Sequence, residues 1–224
     1  MTDDLSREIA RLMTFLDNAP LTLAIRDLEQ ELDGSNAETA ARVIAGAGID
    51  HELLAAAVVT RQHLGRINDL IHASAISLIL PTILDSDEVV LGRPSLAAGN
   101  DPSRPFDLQT NKRVAEFKLA RWAGADAMRK RGVFQDLVHL AADTSGRRAQ
   151  LFVVGQAPIM FLRGSTSTAQ WGLDRATTLR ATFEQRFGPL TMPIRQFTEG
   201  PGGLVELVDL LPLLPALEHH FAAG

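Results

Sequence analysis

The residues that can do chemistry lie together in one stretch, Phe106-Asp107-Leu108-Gln109-Thr110-Asn111-Lys112-Arg113-Val114-Ala115-Glu116-Phe117-Lys118. It reads as two short strands joined by a tight turn at Asn111-Lys112, because asparagine tolerates the positive φ that hairpin turns use. A turn centred there sets Asp107 opposite Glu116, Phe106 opposite Phe117 and Leu108 opposite Ala115. Side chains alternate across a strand, so Phe106, Leu108, Ala115 and Phe117 should share a core face and Asp107, Glu116 and Lys118 the other. Opposed carboxylates with Cβ atoms about 5 Å apart repel. Such a pair persists when a divalent cation or an ammonium neutralises it, and Lys118 is placed to supply the ammonium. A hard cation such as Mg²⁺ takes one or two carboxylates and fills its remaining positions with water and phosphate oxygens. The chemistry expected of this stretch is metal-assisted cleavage of a phosphodiester.

The elements that must position these residues follow from periodicity and breakers. From Asp4 to about Ile49 the chain reads as short helices, with Leu5, Ile9, Leu12, Phe15 and Leu16 as one apolar stripe and Leu21, Ile25, Leu28 and Leu32 as another. A long helical region capped by Asp50 runs to about Leu84, with a break near Thr60 and a buried stripe of Leu64, Ile67, Leu70, Ile71, Ser74 and Leu78. Glu88-Val89-Val90-Leu91 begins a first strand, and the polar link from Ala97 to Pro105 leads into the hairpin. Asp126 to Ala142 is a helix, and Arg148 to Gly155 is a buried strand. Beyond it come a helical turn over Ala157–Leu162, a helix over Thr168–Phe187, an edge strand over Pro193–Phe197 and an apolar closing helix or helix pair over Leu204–Phe221. The expected class is α/β, a mixed central sheet flanked by helices, with residues 1–50 as a helical subdomain and residues 51–224 as the main domain.

Asp107 followed by Glu116-Phe117-Lys118 resembles the acidic pair and lysine of the PD-(D/E)XK, or restriction-endonuclease-like, nucleases, with Phe106 standing between Pro105 and Asp107. The order helix, three strands, helix, strand is similar to the αβββαβ core of that superfamily over roughly Arg61 to Gly155. The resemblance implies Asp107, Glu116 and Lys118 as catalytic residues, and Mg²⁺ or Mn²⁺ held by Asp107, Glu116 and the Phe117 carbonyl. It implies a further acid on the preceding helix, where Asp69 has the chemistry and His72 the direction. Gln135, four residues before His139, has the spacing of the Gln-x-x-x-Tyr element of RecB-like members, with histidine in place of tyrosine. It also implies DNA as substrate, with RNA left open, and a role in antiphage defence or restriction.

Charge is unevenly spread over a chain of net charge −5. Acids dominate up to His51, whereas between Lys112 and Arg148 the bases outnumber the acids. That distribution suits a phosphate-tracking surface around the hairpin, with Arg121, Arg129, Lys130 and Arg131 as phosphate contacts. Lys112, Lys118 and Lys130 are the only lysines in a chain that otherwise uses arginine. A compact ammonium serves a metal-bound water better than a guanidinium does. With no cysteine, thiolate metal sites and disulfides are excluded. No run reaches the length of a membrane span and the first residues are acidic, so a cytoplasmic protein with no membrane partner is expected. A second reading makes the chain a catalytically silent member of the same fold, a regulatory subunit that binds protein through its acidic N-terminal region. The Leu-rich C-terminal segment is expected as core, with a homo-oligomer interface as the other reading.

Overall fold

The computed structural model describes residues 2–18, 20–33, 35–65, 67–92, 94–96, 105–120, 122 and 126–215. They belong to two compact units, Met1–Ile67 and Asn68–Gly224. The first unit holds helices α1 (Thr2–Asn18), α2 (Leu21–Leu32), α3 (Ala37–Gly46) and α4 (His51–Leu64). Asn36 caps α3 by accepting from the Thr39 N–H at 2.9 Å, and Asp50 caps α4 by accepting from the Leu53 N–H at 2.7 Å. Arg11 on α1 reaches over to the Asp50 and Glu52 carboxylates at 2.6 and 3.0 Å, tying α1 to α4. The break expected near Thr60 falls instead after Leu64, at Gly65, where a Cβ would stand 2.7 Å from the Arg61 carbonyl oxygen. Within the expected α2 stripe, Leu21 and Ile25 are exposed. Leu28 and Leu32 are partly buried, so only the C-terminal half of the stripe is covered.

The second unit contains α5 (Ile67–Ile83), β1 (Leu108–Gln109), β2 (Arg113–Lys118), α6 (Ala127–Ala141), β3 (Arg148–Val153), α7 (Gln156–Gly164), α8 (Ala169–Gly172), α9 (Thr177–Arg186), α10 (Ile194–Glu199) and β4 (Val205–Asp209). The sheet is four-stranded in the order β1-β2-β3-β4. β1 runs antiparallel to β2, whereas β2, β3 and β4 are parallel. This is an α/β architecture, a small mixed sheet with helices on both faces. On one face Val114, Leu151, Val153 and Val205 pack with Val133, Phe134, Leu137 and Leu140 of α6. On the other, Ala115, Phe117 and Phe152 pack beneath Ala75, Ile76 and Ile79 of α5.

Several expectations are corrected here. Glu88–Leu91 forms no strand: only Val90 bridges to Thr110, antiparallel, and the sheet recruits β4 instead. β4 arises inside the segment expected as a closing helix, because Val205-Glu206-Leu207-Val208-Asp209 finds the open edge of β3. A short apolar run does not by itself distinguish helix from strand. Pro193–Phe197, expected as an edge strand, leads into α10 with Pro193 as its N-cap, and the expected Thr168–Phe187 helix divides into α8 and α9. The expected α5 stripe is also wrong: Ile67, Leu70, Ile71 and Leu78 are exposed, and His72, Ala75, Ile76 and Ile79 are buried. A helix apolar nearly all round carries no periodic signal of which side meets the sheet.

Glu88 holds its segment by charge rather than by a ladder. Its fully buried carboxylate accepts from the Arg113 guanidinium and the Thr110 hydroxyl, and Arg113 also donates to the Ile83 carbonyl and, at 2.7 Å, to Gln150. Burial opposes ionisation of Glu88, but the Arg113 hydrogen bonds outweigh it and bring its pKa down to about 2. Among the described residues no single helix is long and apolar enough to cross a membrane.

Candidate active site

The hairpin forms in the register that alternation dictates, Leu108 opposite Ala115 and Gln109 opposite Val114. Its turn is built differently from expectation. No residue other than glycine has positive φ among the described residues, so Asn111 is not left-handed. The Thr110 hydroxyl accepts from the N–H groups of Lys112 and Arg113, at 3.0 and 2.7 Å, and closes the turn. The Asn111 side chain serves the neighbouring segment, accepting from the Val89 N–H at 2.8 Å and donating to the Asp87 carbonyl.

Asp107 sits just before β1. Its Oδ2 accepts from the Phe117 N–H at 2.9 Å, and its carbonyl accepts from the Ser95 N–H at 2.8 Å. The carboxylate is thereby held against β2, where it hydrogen-bonds with the Glu116 carboxyl. Phe106, expected with Leu108, Ala115 and Phe117, lies in the opposite core instead. It stacks on the His139 ring with centroids 4.6 Å apart, because strict alternation ends where β1 ends.

The face of β2 that carries Glu116 and Lys118 is covered by α6. Lys118 Nζ lies 2.8 Å from Asp136 Oδ2, and Glu116 Oε1 lies 3.7 Å from His139 Nδ1. From α5, His72 Nε2 stands 3.6 Å from Asp107 Oδ2, while its Nδ1 is 3.3 Å from the Leu96 carbonyl. Its ring also engages the Phe117 main chain. Asp107, Glu116, Lys118 and Asp136 therefore form one interacting group, with a histidine on each flank.

Burial, together with the neighbouring Asp136 and Asp107 carboxylates, pushes the Glu116 carboxyl up to about 9. Asp107 is pushed upward by burial too, but the hydrogen bonds from His72 and Phe117 outweigh this and leave it below its ordinary value. The pair therefore holds one proton, on Glu116. Burial disfavours the Lys118 ammonium, but Asp136, Glu116 and Asp107 reverse the balance and raise its pKa, so it stays charged. Burial raises the pKa of Asp136 more than Lys118 lowers it. His72 ends above its ordinary value, since Asp107 overcomes the cost of burial, whereas burial takes His139 below its own.

The chain matches no family model, no curated protein and no solved structure.

The remaining expected residues disperse. Asp69 sits in the first turn of α5, one turn before His72. Gln135 turns away from the acids and donates to the Gly172 carbonyl at 3.1 Å, anchoring α8. Arg129 pairs with Asp126 at 3.0 Å, Lys130 lies over the Phe161 ring, and Arg131 lies over Trp171 with Asp174 at 4.0 Å. The three do not present one phosphate-facing row. Arg121 lies outside the described residues. The residue that sequence reasoning missed is Asp136. Its signal was its place three residues before His139, on the same side of α6.

Among the described residues no three Asp, Glu or His side chains are arranged as a ready-made metal chelate. The donor chemistry still suits a hard cation. Three interacting carboxyl groups share a single ammonium, and burial with mutual repulsion raises the pKa of both Glu116 and Asp136. A hard cation takes one or two carboxylates, and Asp107 and Glu116 are the pair that meets here.

Proposed function

We propose that this protein is a metal-dependent phosphodiesterase acting on DNA, with a core of the restriction-endonuclease-like type. The observation that carries the reading is the meeting of Asp107 and Glu116 across the hairpin with Lys118 on the same strand. Asp107, Glu116 and the Phe117 carbonyl would hold Mg²⁺ or Mn²⁺, which supplies Lewis-acid polarisation of a phosphate oxygen and a water of lowered pKa. The chain's own residues do the rest. Asp107, fixed by the Phe117 N–H, is a preorganised acceptor. Glu116 must give up its proton to solvent to act as a ligand, and His139 Nδ1 lies 3.7 Å from its carboxyl. Lys118, kept charged by Asp136, stabilises negative charge developing on the phosphate and acts as a cation rather than as a general base. A place in antiphage defence or restriction follows from the resemblance to the superfamily.

The test is nicking of supercoiled plasmid with Mg²⁺ or Mn²⁺, abolished by Glu116→Ala and by Lys118→Ala. RNA is assayed in parallel. Absence of cleavage of either nucleic acid favours the second reading, a silent nuclease-fold protein that binds a partner. The observation on that side is the absence of a three-residue chelate among the described residues.

A further inference from the structure

Beyond the C-terminal end of β2 and at the first turn of α6 lies an open groove of about 680 Å³ lined by Trp122, Lys130, Met160, Phe161, Ser167 and Trp171. We propose that this groove stacks an unpaired base of a single-stranded nucleic acid, an inference that rests on the phosphodiesterase reading and specifies the form of its substrate. Three aromatic rings run along it, Trp122 to Phe161 at 5.5 Å and Phe161 to Trp171 at 6.3 Å between centroids. All three are only partly buried, and Met160 beside them is 69% exposed. A half-open aromatic row is what a base needs and what a sealed core does not offer. The volume lies within the range of about 300–1,000 Å³ typical of small-molecule sites.

Cations lie over two of the rings. Lys130 Nζ lies 5.8 Å from the Phe161 centroid, and the Arg131 guanidinium lies 5.1 Å from that of Trp171. Lys130 is thereby placed to meet a phosphate flanking a stacked base, while Thr166 and Ser167 contribute hydroxyls to the same wall. Lys130 and Asp136 are on one helix, and six residues of α-helix rise about 9 Å. The neutral hydroxyls and the cation favour an anionic, aromatic ligand over an apolar peptide.

The chain contains two tryptophans, Trp122 and Trp171, and both line the groove, so intrinsic emission reports its occupancy. The full-length protein is titrated with short oligothymidylate in EDTA, so that binding is read without cleavage. Saturable quenching is expected. Lys130→Glu should weaken binding about tenfold or more, and Lys130→Ala should lower the salt slope by about 0.7 for the lost phosphate contact. Trp171→Phe, with a smaller stacking surface and an unchanged circular dichroism spectrum, should bind more weakly than the parent. No quenching, quenching of equal affinity by a blunt duplex, or affinity indifferent to Lys130→Glu overturns the proposal. Cleavage of circular single-stranded DNA and nicking of supercoiled plasmid, both with Mg²⁺, are measured on the same preparations. Cleavage of either without quenching rejects the groove alone, and no cleavage of either together with no quenching rejects the groove and the phosphodiesterase reading.

Discussion

The Asp107 carboxylate accepts the Phe117 main-chain N–H at 2.9 Å, and this one hydrogen bond fixes an acid from outside the ladder against the strand that carries Glu116. Two carboxyls that would separate in a free hairpin are thereby kept in contact, and a proton stays on Glu116. Glu116 should therefore titrate far from a normal carboxylate. Its folded pKa, about 9, lies above the ordinary 4.5, so the stability it contributes is full below about pH 4.5 and is lost as pH rises towards 9. Glu116→Gln, which mimics the protonated form, should flatten that loss, as measured by urea unfolding between pH 5 and 9. If the variant and the parent lose stability in parallel, the proton is not on Glu116.

Cation binding at this pair should release that proton. Mn²⁺ affinity measured by calorimetry should rise with pH up to about 9. Heats in buffers of different ionisation enthalpy should show about one proton released per ion at neutral pH. Glu116→Gln should abolish the pH dependence along with tight binding. A pH-independent affinity in the parent would argue that the ion binds elsewhere.

Lys118 and Asp136 are separable by their exposure. Lys118→Ala should reduce cleavage by about 10²–10³-fold, the effect of removing one preorganised charge from a developing anion. Its cost in stability should be modest, because Asp136, already raised in pKa, can take a proton when the ammonium is gone. Lys118→Arg should restore little activity, since a planar fork does not replace a compact ammonium. Thermal melts and nicking rates on the same variants separate the two effects.

The two histidines should titrate in opposite directions. His72, beside Asp107, has its pKa above 6.5 and favours the folded state below that value, an advantage lost as pH rises through its raised pKa. His139 is held below 6.5 by burial, so it favours the folded state above 6.5, an advantage lost as pH falls through its lowered pKa. Proton NMR of the imidazole resonances, assigned with His72→Asn and His139→Asn, reads both. Asp107→Asn should bring the His72 midpoint down.

The Glu88–Arg113 anchor should govern acid unfolding. With Glu88 lowered to about 2, its contribution is full above 4.5 and disappears as pH falls from 4.5 to 2. Arg113→Ala leaves a buried carboxylate unpaired and should cost about 3–5 kcal/mol at neutral pH. The same variant should lose less than the parent between pH 4.5 and 2, a difference that urea titrations over that range will show. At Gly172 a Cβ would lie 2.3 Å from the Phe134 ring, so Gly172→Ala should lower stability by about 1–3 kcal/mol through overpacking.

What the sequence determined by itself was local. Alternation about a short turn set Leu108 opposite Ala115 and brought Asp107 to Glu116, and Asp126 capping Arg129 at 3.1 Å marked where α6 begins. Cap chemistry and strand register need only near neighbours. Tertiary structure decided what depends on distant partners. Val205–Asp209 became a strand because β3 had a free edge, and α5 turned His72 and Ile76 rather than Leu70 and Leu78 towards the sheet. The Glu88 segment docked through Arg113 in place of a ladder. Lys118 acquired its counterion only when α6 folded over β2, since the spacing of Lys118 and Asp136 along the chain says nothing about their separation of 2.8 Å. The acid pair could thus be read from the sequence, whereas the charge and proton it holds are set by burial and by side chains from other elements.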